Sequence, residues 1–250
     1  MYKRQGALNP YNLVDTIDAI VLSGGSAWGL EAASSAANFI GKSGRGFKTS
    51  ENIKNVPMVP AAILFDLSNG GNKDWGDTPP YNKLGIEATS NASIKFKLGN
   101  IGAGYGAKAG SLKGGLGSAS FENAEGLKVG GLFAVNSFGS VVNSETGQFW
   151  AASDELNNEF GGMGAPQDLP EDILAGSSIC HALEKSNTTI GIVATNAKLD
   201  SKTAKRIAIM SHTGMARAIR PIHTPVDGDV IFVVSTNTFD RELTLSLIHI

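Results

Sequence analysis

The 31 glycines of this 250-residue chain fall in clusters between short apolar runs, and that pattern constrains the fold more than any other feature. Glycine at this density, well above the usual ~7%, marks tight turns and places where one backbone passes close to another. No Gly-X-Y period and no low-complexity tract accompanies it, so collagen-like and low-complexity readings fail. The apolar runs mix strand and helix character without strict β–α alternation, which predicts layered α+β packing with antiparallel sheet.

Along the chain, Ile17-Asp18-Ala19-Ile20-Val21-Leu22 predicts a strand that ends at Ser23-Gly24-Gly25. Ser26 is placed to N-cap a helix reaching Ala36 or Ile40, which Gly41 and Gly44 stop. A strand is expected over 59–67, a polar turn over 68–77, a helix over 84–93 and an irregular glycine-rich stretch over 98–117. Val129–Val135 and Gly139–Val142 read as paired strands around Asn136-Ser137-Phe138. Residues 144–187 form a long polar segment with one helical patch, Asp172 to Lys185, and loops of that length inside a domain are usually functional or disordered. Beyond it come a strand over 189–194 and a helix over 201–219, capped by Asp200 or Ser201 and stopped by Pro221. A hairpin is then expected from 221–226 to 230–235 across Asp227-Gly228-Asp229, since Asp-Gly is a strong hairpin signal.

Composition narrows the partners. With 21 basic and 23 acidic residues, nothing electrostatic points to nucleic acid. The single cysteine, Cys180, excludes an internal disulfide framework and reads as a small buried hydrophobe. Ile17–Ile40 carries Asp18, Glu31 and several glycines, so it fails as a membrane span. A cytoplasmic chain without membrane partner is expected. His212, His223, Asp227 and Asp229 lack familiar ligand spacing, and no metal or cofactor is expected. Met1–Gln5 and the uncapped apolar alternation Leu243–Ile250 read as the ends of a fragment truncated on both sides.

The Asn187–Thr188 junction carries the chemistry. It separates the long polar segment from the strand-forming run Thr189-Ile190-Gly191-Ile192-Val193-Ala194. If that bond is cut, Thr188 holds a hydroxyl nucleophile and a free α-amine, and an α-amine of pKa about 7.7–8 can serve as the base near neutrality. The plainer alternative is a Thr-rich start to a buried strand.

Other candidates are weaker. Ser23-Gly24-Gly25-Ser26-Ala27-Trp28 misses the G-x-S-x-G spacing of a nucleophile elbow. Gly102-Ala103-Gly104-Tyr105-Gly106 lacks the flanking strand and helix of a dinucleotide loop. Lys113, set among glycines, is either a surface charge or a group that stabilises an oxyanion. Asp227 and Asp229 flank a turn and could orient a catalytic amine or a substrate ammonium.

Taken together, Val21–Glu31, the Gly102–Gly115 loop, Val135-Asn136-Ser137, Asn187-Thr188-Thr189-Ile190 and Ala216–Phe232 resemble the DmpA-type L-aminopeptidase/D-amidase-esterase family, peptidase family S58, which includes nylon-oligomer hydrolases and β-aminopeptidases. The resemblance implies a four-layer α/β/β/α sandwich of the Ntn-hydrolase type. It implies one self-processing domain over 1–250, cut into parts 1–187 and 188–250 that stay associated, in a homo-oligomer of processed heterodimers. By the same resemblance Thr188 is the nucleophile, freed by cleavage after Asn187. Asn136 is the oxyanion donor with Lys113 beside it, and Asp227 and Asp229 support the nucleophile or the amine. Thr188 stands where many members have serine. Phe65 stands where some have a tyrosine near the oxyanion hole, a contact phenylalanine cannot make.

The implied reaction is hydrolysis of short peptides, amides or esters with a free amine through an acyl-enzyme on Thr188, without a cofactor. Two alternatives remain open at this level: an acyltransferase of the ornithine-acetyltransferase type, and a non-catalytic remnant of the fold.

Overall fold

The computed structural model describes residues 6–9, 15–172, 174–178 and 187–241. Cys180, the tail from residue 243, Met1–Gln5 and the expected helix beyond residue 178 lie outside the described residues; its described part, 174–178, is turn.

The amino-terminal half builds a helical layer on a small sheet. β1 (Val21–Ser23) pairs in parallel with β2 (Ala61–Ile63), and α1 (Leu30–Lys42) joins them. α2 (Tyr81–Ser90) packs on α1 at Gly85, where a Cβ would stand 2.4 Å from the Ala32 carbonyl oxygen; only glycine allows that approach. A short hairpin, β3 (Lys108–Ala109) and β4 (Leu112–Lys113), leads into the main sheet. That sheet runs in the order β5 (Gly115–Glu122), β6 (Lys128–Asn136), β7 (Thr188–Ala197), β8 (Val230–Phe239). The first two pairings are antiparallel and β7–β8 is parallel. The parallel crossover is made by α3 (Ser201–Ala218), which packs on β8.

Successive residues of β2 explain the layering, because side chains alternate across a strand. Ala61 packs with Ala33, Ala36 and Ile40 of α1. Ala62 faces the other way and meets Ala134 of β6, Ile190 of β7 and Phe232 of β8. The order α1/α2, β1/β2, main sheet, α3 is the four-layer α/β/β/α sandwich. Burial of these small and branched side chains is the chief stabilising contribution, at roughly 25 cal/mol per Å² of apolar surface.

Four local expectations are corrected. Ser26 does not cap a helix: it lies in a 3-10 turn (Ser26–Gly29) with no side-chain cap, and Asp66 instead takes the Gly25 N–H at 2.7 Å. The strand expected over 59–67 is limited to β2. Gly139–Val142 is not the partner of β6; β5 is, hidden in Gly-Leu-Gly-Ser-Ala-Ser-Phe-Glu, which has no β-branched residue to announce a strand. The hairpin across Asp227-Gly228-Asp229 does not form. Pro221 and Pro225 have no N–H to donate to a ladder, and β8 pairs in parallel with β7 instead. The helix over 201–219 does form, with the Asp200 carboxylate accepting the Thr203 N–H at 2.7 Å as its cap.

Candidate active site

Thr188 is the first residue of β7 and is buried. Its hydroxyl donates to the carbonyl oxygen of Asn187 at 2.5 Å, so it lies against the Asn187–Thr188 peptide bond. The same carbonyl oxygen accepts the Gly228 N–H at 3.0 Å. Asn187 and Asp227 form a parallel bridge, which sets the Asp-Gly-Asp turn alongside the junction. The Asn187 carbonyl therefore has a hydroxyl and a backbone donor converging on it.

The two aspartates of that turn do different things. Asp227 accepts the Phe138 N–H at 3.1 Å, the Thr224 N–H at 3.2 Å and the Thr224 hydroxyl at 2.6 Å. Burial is the largest influence on its carboxyl and pushes the pKa above the usual carboxylate value, aided by the charge of Asp229; the hydrogen bonds pull the other way without prevailing. Asp229 has a side chain only 3% exposed. One oxygen accepts the Thr189 N–H at 2.7 Å and the other meets His223 Nδ1 at 2.7 Å. His223 Nε2 in turn lies 3.3 Å from His212 Nδ1. Asp227 thus ties the turn to the end of β6, and Asp229 ties it to the start of β7.

Asn136 is the last residue of β6 and the Cα partner of Thr188 across the ladder. Its amide nitrogen donates to the Phe65 carbonyl at 2.8 Å. Its oxygen accepts Asn69 Nδ2 at 3.0 Å and the Lys108 N–H at 2.9 Å. Phe65, with no side-chain donor, thus contributes its backbone carbonyl to the residue opposite Thr188. Lys113 lies on β4, two residues before Gly115, which pairs with Val135. That places it at the same sheet end as Thr188, but its side chain is exposed. Among the described residues, no hydrogen bond or ion pair joins it to Thr188, Asn136, Asp227 or Asp229.

Asn69 and Thr224 are not singled out by the sequence, and Gly228 is marked only as the glycine of an expected hairpin turn. Asn69 and Thr224 have no signal beyond being short polar residues in turns, while Gly228 sits between the two candidate carboxylates. The segment preceding the junction is docked beside them: Ser111 N–H donates to the Gly176 carbonyl at 2.8 Å, and Ser178 N–H to Phe138 at 2.9 Å. On either side of the Asn187–Thr188 bond, Asn187 Nδ2 and Thr189 Oγ1 are buried and have no hydrogen-bond partner among the described residues, a cost that folds rarely carry without reason. The Gly102–Gly104 stretch is a 3-10 turn with Ala103 in the core, not a phosphate loop. Among the described residues no group of three or more His, Cys, Asp or Glu side chains could hold a metal ion, and no helix is long and apolar enough to cross a membrane.

Helices on the two outer faces of a pair of stacked sheets give this chain an α/β/β/α sandwich, the layering of an Ntn-hydrolase-like fold. The sequence profile of Peptidase family S58 matches residues 4–249, and the chain belongs to that family. It is 40% identical over 230 residues to the uncharacterized aminopeptidase Rv1333 of Mycobacterium tuberculosis (strain ATCC 25618 / H37Rv), covering 92% of this chain and 64% of that protein. It is 25% identical over 252 residues to the 6-aminohexanoate-oligomer endohydrolase of Paenarthrobacter ureafaciens, covering 96% and 66%. The chain thus spans 64% of the length of its mycobacterial relative. Among solved structures, the L-aminopeptidase D-Ala-esterase/amidase of Ochrobactrum anthropi, described as a variant of the Ntn hydrolase fold, superposes with a TM-score of 0.52 at 19% identity, over 82% of this chain and 51% of that one. The PH0078 protein of Pyrococcus horikoshii OT3 gives 0.57 at 21% identity, over 90% and 56%.

Proposed function

We propose that this chain is a self-cleaving N-terminal-threonine hydrolase that acts as an aminopeptidase or amidase on short peptides, amides or esters bearing a free amine. The observation that carries this reading is the Thr188 hydroxyl, buried and 2.5 Å from the Asn187 carbonyl oxygen, with Gly228 N–H on that same oxygen.

In the precursor, Thr188 Oγ1 attacks the Asn187 carbonyl carbon, and Gly228 N–H stabilises the oxyanion that forms on the oxygen it already holds. The C–N bond breaks as the Thr188 nitrogen takes up the hydroxyl proton, leaving an ester between Asn187 and the Thr188 side chain. Water hydrolyses that ester to an Asn187 carboxylate and a Thr188 hydroxyl with a free α-amine. In the mature enzyme the amine relays the proton as the hydroxyl attacks a substrate carbonyl, and water resolves the acyl-enzyme. Asn136, across the ladder, and Lys113, at the same sheet end, are the proposed donors to the substrate oxyanion. Asp229, held against the Thr189 N–H, stabilises the ammonium that forms as the amine takes up the hydroxyl proton; Asp227 keeps the turn in place.

The names of the relatives support the reaction class: an uncharacterized aminopeptidase and a 6-aminohexanoate-oligomer endohydrolase. The reading includes parts 1–187 and 188–250 remaining associated in a cytoplasmic homo-oligomer, with no cofactor, nucleic acid or membrane partner. Denaturing electrophoresis with mass spectrometry tests it. Fragments ending at Asn187 and beginning at Thr188, absent from Thr188→Ala, are expected; a folded chain that stays intact refutes self-processing. Release of amine from an aminoacyl amide, with and without an acceptor amine, then tests hydrolysis against acyl transfer.

A further inference from the structure

We propose that His223 is a positioning residue for the Asn187–Thr188 junction, holding Asp229 against the Thr189 N–H, and that its contact with His212 makes this hold depend on protonation. The inference rests on the reading of Thr188 as the self-processing nucleophile.

Asp229 is a carboxylate with a side chain 3% exposed, and a buried charge persists only when it is paired and hydrogen-bonded. Its side-chain partners are Thr189 N–H and His223 Nδ1, each at 2.7 Å. Thr189 N–H is the amide immediately after the nucleophile, so the group that fixes Asp229 also fixes the start of β7. His223 is itself held in an unusual state, with φ at +55°. Few L residues adopt that conformation, and such strain persists where the surrounding structure over-determines it. Here the left-handed turn directs the ring to Asp229 on one side and to His212 of α3 on the other.

The two rings lie 4.8 Å apart between centroids, with Nε2 of His223 3.3 Å from Nδ1 of His212. One hydrogen bond between two imidazoles requires a donor on one and a lone pair on the other. A single proton on the pair satisfies this and strengthens the bond to Asp229. A second proton sets two N–H groups and two positive charges face to face, and the contact breaks. The charged groups around the pair are Asp229, Asp227 beyond it in the same turn, and Lys205 on α3. Burial first, then His223 and Lys205, push the His212 pKa below the usual imidazole value, against the opposing pull of Asp229. The second proton is therefore taken up only on the acid side of the ordinary histidine range, and maturation slows there.

The test uses the full chain carrying Thr188→Ala, which stays uncleaved, and follows the Thr189 amide and the His212 ring by NMR. Adding His223→Ala is expected to speed Thr189 amide exchange about tenfold, the loss of one hydrogen bond to a carboxylate. It is also expected to raise the His212 titration midpoint, because a neighbouring positive charge is gone. His223→Asn, whose side-chain amide can replace Nδ1–H, restores slow exchange but not the low midpoint. His212→Gln provides a second measure if His223→Ala does not fold: the step in the Thr189 resonance at His212's own midpoint disappears. With Thr188 restored, His223→Ala is expected to cleave about tenfold more slowly and His223→Asn to recover the rate at neutral pH. Unchanged Thr189 exchange and an unchanged His212 midpoint in His223→Ala, or a persisting step in His212→Gln, overturn the inference. A parent chain that never cleaves overturns the self-processing reading, while the NMR measurements still decide the role of the histidines.

Discussion

Asn136 stands directly across the β6–β7 ladder from Thr188, and its side chain is tied to three residues in two other segments of the fold. It donates to Phe65, accepts from Asn69 and accepts from Lys108, joining the strand that carries it to the turn after β2 and to the β3–β4 hairpin. The residue opposite Thr188 is thus also a structural junction, and its orientation is set by the fold itself.

Removing that side chain should therefore be felt twice. In the uncleaved Thr188→Ala background, Asn136→Ala strands several polar groups in a nearly inaccessible site, and a loss of about 2–4 kcal/mol is expected; urea denaturation measures it. Asn136→Asp keeps an acceptor for Asn69 and Lys108 but sets a carboxylate oxygen against the Phe65 carbonyl. It is expected to fold less stably at neutral pH and to recover as the acid is protonated. With Thr188 present, both variants are expected to lose turnover of aminoacyl amides.

Gly228 offers a cleaner separation of chemistry from folding. Its N–H lies 3.0 Å from the Asn187 carbonyl oxygen, where the oxyanion of self-cleavage would form. Replacing the Asp227–Gly228 amide by an ester removes that one donor and leaves both side chains in place. The rate of fragment appearance should fall about 10²–10³-fold, the usual effect of losing an oxyanion donor, while Gly228→Ala, which keeps the N–H, should cleave measurably faster than the ester. Equal rates for ester and native chain would show that this donor takes no part.

The two halves of this site differed in how readily they could be read. Thr188 opens an apolar run after a long polar segment, a local pattern that a plain buried strand explains as well; the family resemblance is what marks it as a candidate. Asp227 and Asp229 were marked by their spacing, but their partners were not: Asp229 reaches His223 six residues earlier, Thr189 on another strand and, through His223, a ring on α3. Those contacts depend on β8 joining β7 in parallel, and Asp-Gly pointed to an antiparallel hairpin instead. β5 was missed for a related reason. Its side chains are mostly small and exposed, so its strand state comes from pairing with β6 and not from its own propensity.

The raised pKa of Asp227 fixes the sign of one pH effect. Because burial favours the neutral acid in the folded chain, the folded state holds its proton over a range where the unfolded chain has lost it. Stability is therefore undiminished below the unfolded value and falls as pH rises through the raised one. Asp227→Asn in the Thr188→Ala background should equal or exceed its parent in stability at pH 7, and the difference should close as the pH is lowered to the ordinary aspartate range. Thermal melts across that range check it. With Thr188 present the same substitution is expected to slow maturation, since Phe138 and Thr224 then lean on a weaker acceptor.

Lys113 and Gly114 are neighbours whose replacement should fail for opposite reasons. The Lys113 side chain is exposed, so Lys113→Met should leave the melting temperature nearly unchanged, as surface substitutions usually do within about 0.5 kcal/mol. If the ammonium meets the substrate oxyanion, turnover should fall about tenfold or more while self-cleavage, which has Gly228 as its donor, proceeds. At Gly114 a Cβ would stand 2.1 Å from the Val135 carbonyl oxygen, which is backbone and cannot swing aside. Gly114→Ala must push the β3–β4 hairpin off the end of β6, at a cost of about 1–3 kcal/mol, and with it the Lys108 N–H that holds Asn136. It should lower stability, self-cleavage and turnover together. A Lys113→Met chain that loses all three in the same way would place the lysine in the fold and not in the chemistry.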